Sequence, residues 1–258
     1  MALGVPSGEL RGVVINCSAV ELLQSVKSGG VGAIITDPPF FIPVGRSPSG
    51  MPNKDFNDPW TGAATIEEAV NEVKPVVAEC ARTLRAGGAL IVMGQGISAT
   101  AWDYVVRSSG LNWMAELVVL WNTGKPRISN FGSLFTRINW YSKPGSRHVF
   151  NSGDKRSIYS NVMVCNKVPL TERYHPAEKP VGLTNALITL LTNADDLVVD
   201  PYCGSGSTLV SAAMCDRDWL GSDTDAEHVR VASRRVAHFE LEDVDEVHLW
   251  VNGKLGEI

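Results

Sequence analysis

Short apolar runs recur along the chain, each bounded by residues that favour a turn or a helix. GVVIN at 12–16, VGAIITD at 31–37, ALIVMG at 89–94, ELVVLW at 116–121 and LVVD at 197–200 are of this kind. Being apolar on successive residues rather than alternate ones, such a run suits a strand covered on both faces, as in a parallel sheet. Between the runs lie segments of helical spacing. Val70, Val73, Val77, Ala81 and Leu84 share one face over 66–85, and Leu183, Ala186, Leu187 and Leu190 share another. Pro75 predicts a kink or a restart in the first of these, and Gly87-Gly88 predicts its end. WLGSD at 219–223 predicts a further short strand, followed by a helix through Val229, Ala232 and Val236. Acidic ELEDVDE at 240–246 then leads into VHLWV, a terminal strand. Strands alternating with helices give an α/β fold, doubly wound about a mostly parallel sheet. At 258 residues the chain suits one such domain. Trp102, Trp113 and Trp219 are expected to anchor its core.

Charge divides the chain unevenly. Residues 122–180 hold ten Lys and Arg against three Asp and Glu, a net +7, so the remainder carries −12 within a total of −5. The same stretch is rich in Gly, Ser, Asn and Pro and offers one strand, INWYS at 138–142. It is expected to be a lobe inserted at 122–178, between the two halves of the sheet. Two readings stand for it. Lys125, Arg127, Arg137, Lys143, Arg147, Lys155 and Arg156 could grip a phosphate backbone while Trp140, Tyr141, Phe150, Tyr159 and Tyr174 stack or wedge. Alternatively the charges only keep a loop-rich surface solvated. Five scattered cysteines suggest a reducing compartment. The opening residues lack the pattern of a secretory signal, and no apolar run approaches the ~18 residues of a membrane span, so a cytoplasmic protein is expected. His175 has no His or Cys partner at metal-site spacing, and no metal is expected.

Two strand ends carry chemistry. Asp37-Pro38-Pro39-Phe40 follows the run at 31–36 directly, at the carboxyl edge where open α/β sheets bind ligands. The prolines remove two backbone donors, leaving carbonyls that accept, and an ionised Asp is acceptor-only. Together they suit a donor such as an exocyclic amine, with Phe40 over the ring that bears it. A rigid turn with a solvated Asp is the plainer alternative. The second strand end is Asp200-Pro201-Tyr202-Cys203-Gly204-Ser205-Gly206-Ser207-Thr208, a glycine turn between strand and helix. Lacking a Lys after the glycines, it is no triphosphate loop, and it also departs from the three-glycine dinucleotide pattern. Asp223 ends the next strand, placed to receive the hydroxyls of a nucleoside.

In this order the motifs resemble the amino-group DNA methyltransferases that use S-adenosylmethionine, in the permuted arrangement whose catalytic half precedes the cofactor half. DPPF at 37–40 matches their catalytic tetrapeptide, DPYCGSGST at 200–208 their cofactor loop, and Asp223 the acid after the second cofactor strand. HPAEKP at 175–180 resembles their HPTQKP element. RTLRAGGALIVMG at 82–94 and ELVVLWNTGKP at 116–126 resemble further segments, so the likeness covers most of 12–238. It departs at Asn16, where an Asp is usual, and at Tyr202, where Phe is common.

The resemblance implies a single Rossmann-like methyltransferase domain over 1–258 and S-adenosylmethionine as cofactor. Asp200, Tyr202, Cys203, Gly204, Gly206, Ser207, Asp223 and, through the HPAEKP element, Lys179 would hold that cofactor. Asp37, Pro38, Pro39 and Phe40 would be catalytic, methylating adenine N6 in duplex DNA by direct attack of a flipped-out base. Cytosine N4 presents the same kind of amine and remains open, as does a nucleic-acid-binding protein without turnover. A monomer or homodimer acting inside a bacterial host follows from the same likeness. No cysteine is needed, and Cys17 and Cys203 are expected to be inert.

Overall fold

The computed structural model describes residues 11–39, 65–121, 134–153, 159–169, 171–174, 177–239, 244, 247–251 and 254–257. In chain order the elements are β1 (Gly12–Asn16), α1 (Ala19–Ser25), β2 (Val31–Thr36), α2 (Ile66–Thr83), β3 (Leu84–Gly94) and α3 (Gly96–Arg107). Then come β4 (Asn112–Trp121), β5 (Phe135–Ser142), β6 (Tyr159–Cys165), α4 (Val181–Leu191), β7 (Leu197–Asp200) and α5 (Ser207–Met214). The chain closes with β8 (Asp218–Asp223), α6 (Ala226–Ala237), β9 (Val247–Val251) and β10 (Lys254–Glu257). All ten strands form one sheet in the order β1-β8-β7-β2-β3-β5-β4-β6-β9-β10. The first five in that order are mutually parallel, β5 and β9 run against the rest, and β4 and β6 are parallel.

Successive residues of β2 face opposite sides of the sheet, as the pleat requires. Ile34 enters a core with α1, α2 and α3, through Leu22, Val73, Val77 and Trp102. Ala33 and Ile35 enter a second core with α4, through Leu183, Leu187 and Ile188. Cys203, Leu209 and Val210 join Ala232 and Val236 of α6 in a third. Both faces of the central strands are therefore covered, which is why their sequences are continuously apolar. Among the described residues no helix is long and apolar enough to cross a membrane.

Several expectations are corrected. Pro75 does not divide α2: it lies on the exposed face, where water can serve the carbonyl left without an N–H partner. Gly87-Gly88 does not end that helix either, since α2 stops at Thr83 and both glycines lie within β3. Gly87 has φ +76°, and a Cβ there would meet the Arg147 carbonyl oxygen at 2.4 Å. Of the stretch 122–178, expected to form an inserted lobe, the described strands belong to the main sheet, where β5 lies between β3 and β4 and β6 flanks β4. Trp102 is buried as expected, but Trp113 is 46% exposed, with the Arg107 guanidinium 5.0 Å above its ring.

Candidate functional site

Along the sheet, β7 leads outward to β8 on one side and β2 leads to β3 on the other. The junction of β7 and β2 is thus the point where the winding reverses, and a crevice is expected outside their carboxyl ends. Asp200 ends β7, Asp223 ends β8 and Asp37 follows β2, so three acids sit at three neighbouring strand ends.

Thr36 ties two of these ends together: its buried hydroxyl donates to Asp200 Oδ1 at 2.9 Å. The Asp200 carboxyl also accepts from the Tyr202 N–H at 3.1 Å and from the Thr208 hydroxyl. Burial pushes this acid up to about 7, against the lowering effect of those hydrogen bonds, and the nearby Asp37 adds to the rise. Its bonds clamp both ends of the glycine turn. Within the turn Gly204 and Gly206 have φ +49° and +86°, left-handed values that suit glycine. A Cβ on Gly206 would also approach Ala232 Cβ to 2.8 Å. The Gly204 N–H donates to Asp223 Oδ2 at 3.1 Å, while the Asp225 N–H donates to Oδ1 at 2.9 Å. Although burial opposes it, bonding by His228 and by these two amides holds the Asp223 carboxyl below its ordinary value. Asn16 contributes at the same edge, its amide donating to the Asp223 carbonyl at 2.9 Å. An Asp at position 16 would set acceptor against acceptor there, so the departure from the family pattern has a structural use.

Tyr202 packs edge-on against Trp102, with ring centroids 6.4 Å apart. The Cys203 thiol is pushed well above its ordinary value by burial and by Asp200 and Asp223, and burial raises Cys17 as well. Both stay as thiols at neutral pH, the inert form. Ser207 is buried beneath Arg235, whose Nη1 donates to the Ser205 carbonyl at 3.0 Å.

Asp37 is mostly buried, and burial raises its carboxyl while the Lys179 ammonium opposes the rise. Lys179 donates to Oδ2 and, at 3.2 Å, to the Ala177 carbonyl. Asp37 Oδ1 is buried with no hydrogen-bond partner among the described residues. Lys179, expected among the cofactor contacts through the HPAEKP element, therefore stands on the acid after β2. The Pro39 carbonyl already accepts from the Ser98 hydroxyl at 2.9 Å, at the start of α3. Ser98 and Arg235 were not singled out from sequence, and Thr36 was given no role there. Thr36 opens the DPPF element, whereas nothing in the sequence around Ser98 or Arg235 points to the site. Phe40 lies outside the described residues.

The basic residues that are described are dispersed. Arg137 lies near the carboxyl edge, paired with Glu116 at 2.5 Å. Lys143 follows β5 at the opposite edge and donates to the Arg82 and Leu84 carbonyls at 3.2 and 2.8 Å, completing the end of α2. Arg147 lies beside Gly87 on that same far edge. Both were expected among the DNA contacts, and their edge of the sheet is the one away from Asp37 and Asp200. Lys125, Arg127, Lys155 and Arg156 lie outside the described residues. The aromatic residues of the tract differ in exposure. Tyr141 is fully buried, and Trp140 stacks on Phe150 at 5.8 Å, with Tyr159 edge-on to Phe150 at 5.6 Å. Phe150 and Tyr174 remain 40% and 57% exposed. Among the described residues no group of His, Cys, Asp or Glu is arranged to hold a metal ion.

Residues 31–234 match the model of a DNA methylase family, N6_N4_Mtase. The type II methyltransferase M.HinfI of Haemophilus influenzae is 22% identical over 245 residues, covering 86% of this chain and 67% of that one. The DNA adenine methyltransferase YhdJ of Escherichia coli K12 is 23% identical over 278 residues, covering 95% and 90%. Among solved structures, the M1.HpyAVI–SAM complex superposes with a TM-score of 0.66 at 20% identity, covering 87% of this chain and 99% of that one. The cytosine-N4-specific PvuII DNA methyltransferase gives 0.69 at 18% identity, covering 92% and 90%. The fold is the one these methyltransferases share.

Proposed function

The chain belongs to the N6/N4 family of DNA methylases, and from that premise we propose that it transfers a methyl group from S-adenosylmethionine to adenine N6 in DNA. The observation that carries the reading is Asp37 Oδ1, a buried acceptor with no partner among the described residues. A buried, unpaired oxygen costs about 1–3 kcal/mol, a cost that a donor entering the site would remove. A ring amine is such a donor. Asp37 Oδ1 accepts one of its hydrogens and the Pro38 carbonyl the other, Pro39 being held by Ser98. Accepting both hydrogens keeps the nitrogen lone pair free for attack rather than conjugated with the ring. Phe40 covers the base. In duplex DNA the base must leave the stack to reach this edge.

The residues present suit the cofactor by their chemistry. Asp200 and Asp223 are acceptor-only when ionised, appropriate to ribose hydroxyls and an α-ammonium, and the glycine turn between them admits close approach of a ligand to the backbone. Asp200, Tyr202, Cys203, Gly204, Gly206, Ser207 and Asp223 form the proposed cofactor contacts. Bound there, the sulfonium supplies an already activated methyl group, so the protein has only to align and desolvate the amine. Lys125 and Arg127 are the proposed phosphate contacts, because the strands that flank them, β4 and β5, meet at the carboxyl edge. The relatives named above come from bacteria, which supports a site of action inside a bacterial cell.

The test is incubation of purified protein with methyl-labelled S-adenosylmethionine and mixed DNA, followed by nucleoside mass analysis. N6-methyladenine is expected, and it should be lost in a folded D37A variant. N4-methylcytosine without modified adenine would overturn the acceptor assignment and leave the reaction class standing. Label in RNA alone would overturn the DNA substrate.

A further inference from the structure

We propose that Lys179 is the positioning residue of Asp37: its ammonium takes Oδ2, keeps the carboxylate charged in a buried site, and so reserves Oδ1 for the amine of the substrate. The inference rests on the methyl-transfer reading above and deepens it. Three observations meet in it. Asp37 lies almost out of solvent, where a lone carboxylate takes up a proton rather than stay charged. A protonated carboxyl is the wrong partner for an amine, since one of its oxygens becomes a donor. The facing groups from the neighbouring elements differ in sign. Asp200 at the end of β7 repels charge on Asp37, whereas Lys179, just before α4, favours it. Lys167 after β6 and Arg173 add positive charge around Lys179.

The lysine is also held from both sides. Glu178 forms a buried ion pair with Arg235 of α6 at 3.1 Å, and its Oε2 accepts from the Tyr174 N–H at 2.7 Å. Pro180 caps α4, its carbonyl accepting from the Leu183 N–H at 3.2 Å. Lys179 is thus fixed between an anchored acid and a helix start, so its reach to Asp37 does not depend on a long side chain finding its partner from solvent. Held this way, it fixes which carboxylate oxygen is engaged, and Oδ1 is left as the acceptor.

The experiment titrates the Asp37 carboxyl by ¹³C NMR in the substrate-free protein, the signal being assigned by its loss in D37N. Lys179→Met should move the midpoint upward by about 1–3 pH units, the size ordinarily exerted by a neighbouring opposite charge. Lys179→Arg should restore it, and Lys179→Gln, which keeps a donor but no charge, serves if the Met variant fails to fold. The acid limb of the single-turnover rate should shift in the same direction, with calorimetric affinity for S-adenosylmethionine changed by less than about twofold. An unmoved midpoint in a folded, uncharged variant overturns the inference. So does a loss of cofactor affinity beyond about tenfold with the midpoint unmoved, which would return Lys179 to the cofactor site. A moved midpoint in a protein that methylates no nucleic acid supports the pairing and overturns only the functional reading.

Discussion

The Glu178–Arg235 pair joins the segment that carries Lys179 to the glycine turn, and breaking it should be felt in both stability and cofactor affinity. The two side chains are 3% and 4% exposed and meet at 3.1 Å. Arg235 also donates to the Ser205 carbonyl at 3.0 Å and lies 4.6 Å over the Tyr174 ring. Arg235→Met leaves the Glu178 carboxylate buried without that charge partner, and Glu178→Leu does the converse to the guanidinium. Each should cost about 3–5 kcal/mol, the range for removing one member of a buried pair. For a chain of this size that is roughly 6–20 °C in Tm. The double variant leaves no buried charge and should recover at least about 2 kcal/mol relative to the sum of the singles. Full recovery is not expected, because the Ser205 carbonyl loses its donor, at about 1–3 kcal/mol.

Urea unfolding of the four proteins gives the coupling energy, and calorimetry with S-adenosylmethionine reads the glycine turn directly. Arg235→Met should weaken that binding more than Glu178→Leu does, since only the arginine touches the turn. Singles that add within about 0.5 kcal/mol in the double would refute the argument, because two charges that do not couple are not a buried pair.

Asp200 makes stability depend on pH in a direction set by its raised value of about 7, well above the ~3.9 of an unfolded aspartate. Its contribution is fully present below about pH 4 and is lost as pH rises through about 7, so the neutral Asp200→Asn should gain on wild type between about pH 5 and pH 8. Parallel unfolding curves at the two pH values would remove the burial argument. Replacing Lys125 and Arg127 should flatten the log–log salt dependence of DNA binding by up to about 1.8, whereas replacing Lys143 and Arg147 should leave it unchanged. Fluorescence anisotropy from low to moderate salt distinguishes them, and an equal loss from both pairs would put DNA on both edges of the sheet. Asp223→Ala should weaken S-adenosylmethionine binding and also lower stability by about 1–3 kcal/mol, since the Gly204 N–H loses its acceptor. Unchanged calorimetric affinity would take Asp223 out of the site.

The parts of the site that were legible in sequence are those whose chemistry is contiguous. A buried strand, its terminal acid and the turn that follows are contiguous in the chain, so Asp37-Pro38-Pro39 and Asp200 through Thr208 announce themselves. Strand membership is harder to read where the residues are mixed. Of β5 and β6 only 138–142 reads as a strand in sequence, because Arg137, Asn139, Ser160 and Asn161 blur the apolar pattern. What recruits them is pairing with β3 and β4, which tertiary contact supplies and local propensity does not. Gly87 shows the same blindness: glycines that match a helix stop in sequence instead admit the Arg147 carbonyl against β3.

The three acids at the crevice show where the remaining information lies. In sequence Asp37, Asp200 and Asp223 each stand at the end of a strand-forming run, and only the motifs around them set them apart. In space each is engaged differently. Asp200 takes hydroxyls and an amide and is driven by burial toward its neutral form. Asp223 takes two amides and faces His228, which favours the charged form. Asp37 takes an ammonium on one oxygen and leaves the other without a partner among the described residues. Partners of the first two lie within a few residues of the same turn or the adjoining strand end, so their engagement follows once the sheet forms. The partner of Asp37 is 142 residues away and is delivered by a segment anchored through α6. That long-range delivery separates a carboxylate that organises a loop from one that can meet a substrate.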